Sequence, residues 1–431
     1  MESLTVKVVT LGCKVNQCES GSIIATLKAN GYDASEGLAP ADVYVLNTCS
    51  VTAEADKKSR QYLAKMRGLN ERCAIIVVGC SSQNDPEKFH RSNVVAVGGT
   101  SNKSEFVFKT IKSLANNNQY SILSDIILYK NTLDSTKNKL KYCYELYPEL
   151  QKTRSFIKIQ DGCNRFCSYC IIPYLRGRSR SRSIEDVVAE CDSISSGEIV
   201  ITGIDVSSYG ADIGVTLPQL LKALSKFTAR KRLGSLECEV IDDDMLSAMR
   251  EGNYCPHFHL SLQSGSTDVL KSMNRRYNSE YFYSKIELIR KYFPNAGITT
   301  DVIVGFPTET DDLFKESVEF IEKCGFSDIH VFPYSSRAGT LAAKKYKVLP
   351  PEIVKERVSE LLRLKANLRD RFFEKNLNTV ASVYVEDQES GYNVGYTPNY
   401  IKVYSDADCG DIVDLRLTDK FKDGIFGVKL S

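Results

Sequence analysis

Three cysteines lie close together in Asp161-Gly162-Cys163-Asn164-Arg165-Phe166-Cys167-Ser168-Tyr169-Cys170, spaced C-x3-C-x2-C. A tetrahedral zinc site takes four nitrogen or sulfur ligands, so three thiolates leave it one short. A four-iron cluster takes a thiolate on each iron. Three thiolates would therefore leave one iron without a protein ligand and open to chemistry. The competing reading is a zinc turn completed by a distant Cys or His. Only four histidines are present (His90, His257, His259 and His330), which argues against His-rich metal sites.

Cys13, Cys49 and Cys80 form a second set. Each follows an apolar run, at residues 6–10, 43–46 and 74–78, and a fourth run lies at 94–97. Helical stretches separate the runs, one capped by Asn16 and ending near Asn30-Gly31, another over 53–69. Strands alternating with helices imply a parallel sheet, and ligands bind at the carboxyl ends of such strands. The fold would thus bring three thiols to one edge as a second set of cluster ligands. Buried thiols are the ordinary reading of any one of these cysteines; three in register favour a site.

The segments Thr10-Leu11-Gly12-Cys13-Lys14-Val15-Asn16-Gln17, Asn47-Thr48-Cys49-Ser50-Val51-Thr52 and Val78-Gly79-Cys80-Ser81-Ser82-Gln83 complete the pattern, with Tyr169 just before the last loop cysteine. Together they resemble the methylthiotransferases, a subgroup of the radical S-adenosylmethionine (SAM) enzymes, over nearly the whole chain. The resemblance implies two 4Fe–4S clusters. Cys163, Cys167 and Cys170 would hold the one whose open iron chelates SAM; Cys13, Cys49 and Cys80 would hold an auxiliary cluster that handles sulfur. Gly-Cys-Lys-Val-Asn-Gln looks like the branch acting on N6-threonylcarbamoyladenosine beside the tRNA anticodon. There a deoxyadenosyl radical removes hydrogen from carbon 2 of the adenine and a methylthio group takes its place. Isopentenyladenosine in tRNA and an aspartate of a ribosomal protein remain alternative substrates, and a non-catalytic iron–sulfur RNA-binding protein is a third reading. An electron donor such as flavodoxin or ferredoxin is implied. Cys18, where the family pattern leads us to expect an aromatic, and Cys73, at the opposite sheet edge, are read as non-ligands.

The elements that must position these residues follow from the rest of the chain. Its 431 residues allow two to four domains, and 42% hydrophobic with 26% charged residues is ordinary for a soluble globular protein. No run approaches the ~18 apolar residues of a membrane helix, and no signal peptide opens the chain. A cytoplasmic protein with no membrane contact is expected, in which fourteen cysteines speak for metal rather than disulfides. A net charge of +2 gives no global basic field, so RNA contact must come from local patches.

The expected fold class is α/β in three parts. Residues 1–117 form an open parallel sheet, 118–147 a polar linker containing Cys143, 148–368 the radical SAM core, and 369–431 a small OB-like β-barrel resembling a TRAM domain. In the core, strands near 155–159, 198–202, 235–240, 257–260, 298–304 and 330–333 alternate with helices. A closed barrel needs eight units, so six predict a partial barrel. Active residues sit at the carboxyl ends of such strands. This and the resemblance place Thr202, Asp205, Gln263, Ser264 and Asp301 at SAM, joined by Tyr169 and Arg178 from the loop. Arg176, Arg178, Arg180 and Arg182 alternate with small residues, so a guanidinium pair can face a carboxylate or phosphate; Arg180 and Arg182 are the candidates for RNA. Lys222, Lys226, Arg230, Lys231 and Arg232 read as a weaker phosphate patch. In the tail, Tyr396 would stack on a base and Lys402 would meet a phosphate. Nine acidic against five basic residues over 381–431 sit uneasily with that role.

Overall fold

Val43-Tyr44-Val45-Leu46 buries every side chain, Val43 and Val45 toward one helical layer and Tyr44 and Leu46 toward the other. A strand covered on both faces reads as a continuous apolar run, which is why the sequence showed it clearly. The structure is a computed structural model that describes residues 4–116, 127–128 and 154–430. Of the expected linker, only Ile127–Leu128 lies within them; Cys143 lies outside. The chain divides into two compact units. One is Met1–Leu150 with Gln160–Arg182 and Arg337–Thr340; the other is Gln151–Ile159 with Ser183–Ser336 and Leu341–Ser431.

The first unit runs β1 (Thr5–Thr10), α1 (Lys14–Ala29), β2 (Asp33–Glu36), β3 (Val43–Thr48), α2 (Ala53–Leu69), β4 (Ala74–Gly79), α3 (Cys80–Asn84), β5 (Val94–Val97), α4 (Lys103–Asn116) and β6 (Ile127–Leu128). All pairs are parallel, in the order β2-β1-β3-β4-β5-β6. β2, with the polar sequence Asp-Ala-Ser-Glu at the sheet edge, carries no apolar pattern and was not expected. The order reverses between β1 and β3, the switch point at which open α/β sheets take ligands. Asn16 does not cap α1, whose N-cap is Cys13. Its Nδ2 instead donates to the carbonyls of Leu11 (2.7 Å) and Thr48 (2.9 Å), tying the two strand ends together. Further along, β7 (Arg154–Asp161) leads into the cysteine loop, then α5 (Ile172–Arg176) and β8 (Arg180–Ser181). The last two residues of β7 pair antiparallel with β8, closing the loop at its base.

The second unit takes the first six residues of β7 and continues through α6 (Ile184–Asp192), β9 (Glu198–Gly203), α7 (Leu217–Leu224), β10 (Arg230–Leu233), α8 (Asp243–Glu251), β11 (His257–Gln263), α9 (Thr267–Ser272), α10 (Ser279–Tyr292), β12 (Gly297–Val304), α11 (Asp311–Cys324) and β13 (Asp328–Pro333). β7, β9 and β10 lie side by side, as do β11, β12 and β13, and parallel bridges at Lys231–Tyr254 and Leu236–Leu260 carry one group into the next. This is the expected six-strand partial barrel, with one correction. The third strand is Arg230–Leu233, not 235–240, and Arg230, Lys231 and Arg232 are buried rather than forming a phosphate patch. Next come α12 (Leu341–Lys345) and α13 (Pro351–Asn376). They lead to β14 (Val380–Glu389), β15 (Tyr392–Tyr396), β16 (Lys402–Ser405), β17 (Ile412–Phe421) and β18 (Gly424–Lys429), a closed barrel in the order β14-β15-β16-β18-β17.

Glu198 explains the charged strand. Its side chain is fully buried. Arg232 Nε lies 2.9 Å from Oε1, Arg230 Nη2 2.7 Å from Oε2, and Arg154 Nε 3.2 Å from Oε1. The arginines also donate to C-terminal carbonyls, Arg230 to Ser382 (3.1 Å) and Arg232 to Pro398 (2.9 Å). Tyr396 stacks on Tyr400 with ring centres 4.8 Å apart, and Tyr400 on His257 at 4.4 Å. Arg154, Glu198, Arg230 and His257 each open a core strand, so the small barrel seats on the amino ends, leaving the carboxyl ends for chemistry. Burial would raise the Glu198 pKa, but the charge and hydrogen bonds of Arg232, with Arg154 and Arg230, bring it down to about 2. A depressed carboxyl stabilises the fold above its unfolded pKa and loses that effect as pH falls through its folded value. The urea midpoint should therefore fall as pH drops from 4.5 toward 2, and Glu198→Ala should blunt that fall. At neutral pH the substitution strands buried guanidinium groups and should cost ~3–5 kcal/mol.

Candidate functional site

The N-terminal cysteines arrive where the topology requires. Cys13 follows β1, Cys49 follows β3, and Cys80 opens α3 directly after β4. Gly12 has φ +98°, and a Cβ there would lie 2.6 Å from Cys49 Cβ and Sγ, so glycine lets Cys49 approach the chain before Cys13. Cys13 is exposed; Cys49 and Cys80 are buried. Burial pushes the Cys49 thiol up to about 11; the Val51 backbone lowers it, Cys80 and Cys13 raise it further, and Arg176 opposes them. Cys80 is likewise raised by burial. Without metal these two thiols keep their protons at neutral pH, and metal binding must displace them.

The loop cysteines are set by backbone. Gly162 has φ +74°, and a Cβ there would meet Arg178 O at 2.1 Å. The Cys163 amide donates to Gly177 O (3.1 Å), the Cys170 amide to Cys167 O (3.0 Å), and the Arg165 amide to Cys163 Sγ (3.4 Å). Amide donors aimed at cysteine sulfur are among the levers that tune iron–sulfur clusters. Among the described residues, the one group of three potential ligands with atoms within 4.8 Å of one another is His259, Asp301 and His330. Neither cysteine set is gathered that tightly around one ion. A cluster gives each thiolate its own iron, so three thiols per set can serve three of the four irons of a 4Fe–4S cluster.

Both sets belong to one unit, and the segments that carry them pack together. Cys80 packs with Ile171 and Leu175, the first of which directly follows Cys170. Arg176, at the end of α5, is fully buried. It reaches Glu19 Oε1 (2.8 Å), Asn16 Oδ1 (2.9 Å) and Asp161 Oδ1 (3.0 Å). Lys103 pairs with Glu19 from the other side, and Arg180 with Asp161 Oδ2 (2.7 Å). Thr100 Oγ1 donates to Leu175 O (2.9 Å). Arg337 donates to Ser50 Oγ beside Cys49 (2.7 Å) and pairs with Asp56. No sequence pattern singled out Glu19, Lys103 or Arg337. Their partners are remote in the chain, and a single charge inside an apolar pattern reads as solvent-facing.

The other expected residues divide. Thr202 and Asp205 are buried at the end of β9, and Asp205 Oδ2 accepts from Ser208 Oγ (2.6 Å). Gln263 ends β11 at φ +70° beside a register shift, and Ser264 behind it is fully buried. A glutamine held in the left-handed region is strained backbone of the sort found at ligand sites. Tyr169 is half-buried, and Arg178 is exposed with its guanidinium 4.6 Å from the Phe166 ring centre. Asp301 lies between His259 Nε2 (3.2 Å) and His330 Nδ1 (3.3 Å). Burial would raise its pKa, yet hydrogen bonds and charge from those histidines hold it well below the usual carboxylate range. The RNA candidates are turned inward. Arg180 and Arg182 are buried, the first committed to Asp161; Tyr396 stacks within the protein; Lys402 is neutralised by Glu389 (2.7 Å) and Asp423 (3.1 Å).

Two outcomes follow. Cys13→Ala should lower iron from about eight to about four per chain, measured after anaerobic reconstitution. Arg176→Ala leaves Glu19 and Asp161 with one buried cation each and should cost ~3 kcal/mol in urea unfolding.

Comparison with known proteins agrees with this geometry. The radical SAM superfamily model matches residues 157–321, and that of the uncharacterized protein family UPF0004 matches residues 5–98. The chain is 36% identical over 421 residues to threonylcarbamoyladenosine tRNA methylthiotransferase MtaB of Bacillus subtilis, covering 93% of this chain and 90% of that protein. It is 32% identical over 396 residues to tRNA-2-methylthio-N(6)-dimethylallyladenosine synthase of Acetivibrio thermocellus, covering 88% and 79%. The radical SAM methyltransferase TsrM of Kitasatospora setae shares the fold, with a TM-score of 0.56 at 12% identity over 79% of this chain and 77% of that one. Radical SAM enzymes use SAM with a 4Fe–4S cluster, and methylthiotransferases carry two clusters, the number that two separate three-cysteine sets can hold. The chain belongs to the radical SAM methylthiotransferase family.

Proposed function

We propose that this protein adds a methylthio group to carbon 2 of N6-threonylcarbamoyladenosine next to the anticodon of tRNA. The observation that carries the reading is the meeting of two three-cysteine sets within one unit, through Cys80, Ile171 and Arg176. Relatives bearing the threonylcarbamoyladenosine name, at 32–37% identity, support the choice of nucleoside. When bound, the clusters and SAM supply the radical, the sulfur and the methyl group; an adenine C–H is too weakly acidic for acid–base removal.

The protein's part is to hold and orient. Cys163, Cys167 and Cys170 would hold the SAM cluster; Cys13, Cys49 and Cys80 would hold the auxiliary cluster, Cys13 being the exposed member of that set. Arg178 offers a guanidinium to the SAM carboxylate beside Tyr169. Thr202, Asp205, Gln263, Ser264 and Asp301, at or near the carboxyl ends of their strands, are the SAM contacts proposed for the core. The domain limits of the sequence reading stand as part of the proposal, as do a flavodoxin- or ferredoxin-type electron donor and a cytoplasmic setting. No helix among the described residues is long and apolar enough to cross a membrane.

The test is nucleoside mass spectrometry of tRNA incubated with reconstituted enzyme, SAM and dithionite. The expected product is methylthiolated threonylcarbamoyladenosine, with isopentenyladenosine unchanged; the converse would overturn the substrate. Arg178→Ala should raise the SAM requirement at least ~10-fold, the worth of one lost charged hydrogen bond, in assays of deoxyadenosine release.

A further inference from the structure

The inner face of the partial barrel carries a further cluster of metal-ligating side chains. On β11, Phe258, Leu260 and Leu262 face the helices, as do Ile298, Val302 and Val304 on β12 and Ile329 on β13. Period-2 alternation turns His259, Asp301 and His330 to the opposite, inner face. The register sets Asp301 directly beside His330 and His259 beside Thr299. Three adjacent strands thus present imidazole, carboxylate and imidazole side by side, on rigid elements rather than loops.

We propose that His259, Asp301 and His330 bind a divalent transition-metal ion. The three ligand atoms lie within 4.8 Å of one another, a spacing one ion can span. His259 Nε2 and His330 Nδ1 stand 3.2 and 3.3 Å from the Asp301 oxygens. Charge-assisted N–H···O bonds are shorter, ~2.7–2.9 Å. Ligands bonded at ~2.0–2.1 Å to one ion sit ~3.3–3.4 Å apart along the edges of a tetrahedron. A supporting shell is in place. Thr299 Oγ1 meets His259 Nδ1 at 2.8 Å, which orients the ring and presents Nε2 to Asp301. Access is available as well, since the His330 side chain is 48% exposed while that of His259 is 13% exposed. Two histidines with one carboxylate suit zinc or ferrous iron and leave at least one position for an oxygen donor. None of the six cysteines is among its ligands, the inference assigns Asp301 to the ion in place of the SAM contact proposed above, and it does not depend on the tRNA substrate.

The test uses the full chain with its clusters loaded. Enzyme is equilibrated anaerobically with zinc, freed of loosely held metal by gel filtration, and assayed for zinc and iron per chain. Wild type should retain one more zinc than His330→Ala or Asp301→Asn, at unchanged iron. X-ray absorption at the zinc edge should show nitrogen and oxygen neighbours and no sulfur. Equal zinc in all three proteins, or a sulfur shell, would overturn the proposal. Should Asp301→Asn fail to fold, His330→Ala, at a half-exposed side chain, decides the matter alone.

Discussion

The active unit depends on one buried guanidinium. Arg176 lies out of water between Glu19 of α1 and Asp161 at the end of β7, and its fork also takes the Asn16 amide oxygen. A buried ion pair with one partner removed is expensive because the survivor keeps its desolvation penalty. The cysteine loop therefore cannot leave the N-terminal sheet edge without exposing an uncompensated charge. Lys103 and Arg180 close the network, and Asn16 ties it to the ends of β1 and β3 that carry Cys13 and Cys49. A reaction that brings sulfur from one cluster to a radical made at another needs its two sites held in register. Here packing and electrostatics supply that constraint through the same residue.

The cysteines, the parallel strands and the six-unit core were legible in the sequence because their signals are local. The strand-end cysteines follow apolar runs, and the loop cysteines follow one another. The Arg176 network was not legible, since its partners Glu19 and Asn16 lie 157 and 160 residues away in the chain. The same blindness explains the third core strand. Arg230-Lys231-Arg232 looked like a phosphate patch, yet Glu198 from the neighbouring strand makes burial of the arginines tolerable, and Lys231 is satisfied by the carbonyls of Phe227 and Ala229.

The C-terminal barrel also engages its expected RNA residues internally. Its aromatic and basic residues pointed to RNA, but Tyr396 and Tyr400 stack toward His257, and Lys402 is held by two carboxylates. Residues of the motif that resembles a TRAM domain, among them Thr397, Pro398 and Tyr400, help seat the barrel on the core.

The most direct test of the account is whether the two cysteine sets do separate jobs. Deoxyadenosine release and methylthiolated nucleoside should be measured in parallel for Cys13→Ala, a change at the exposed member of the auxiliary set. The account predicts that SAM cleavage persists while methylthiolation is lost. Loss of both together, or survival of both, would contradict it.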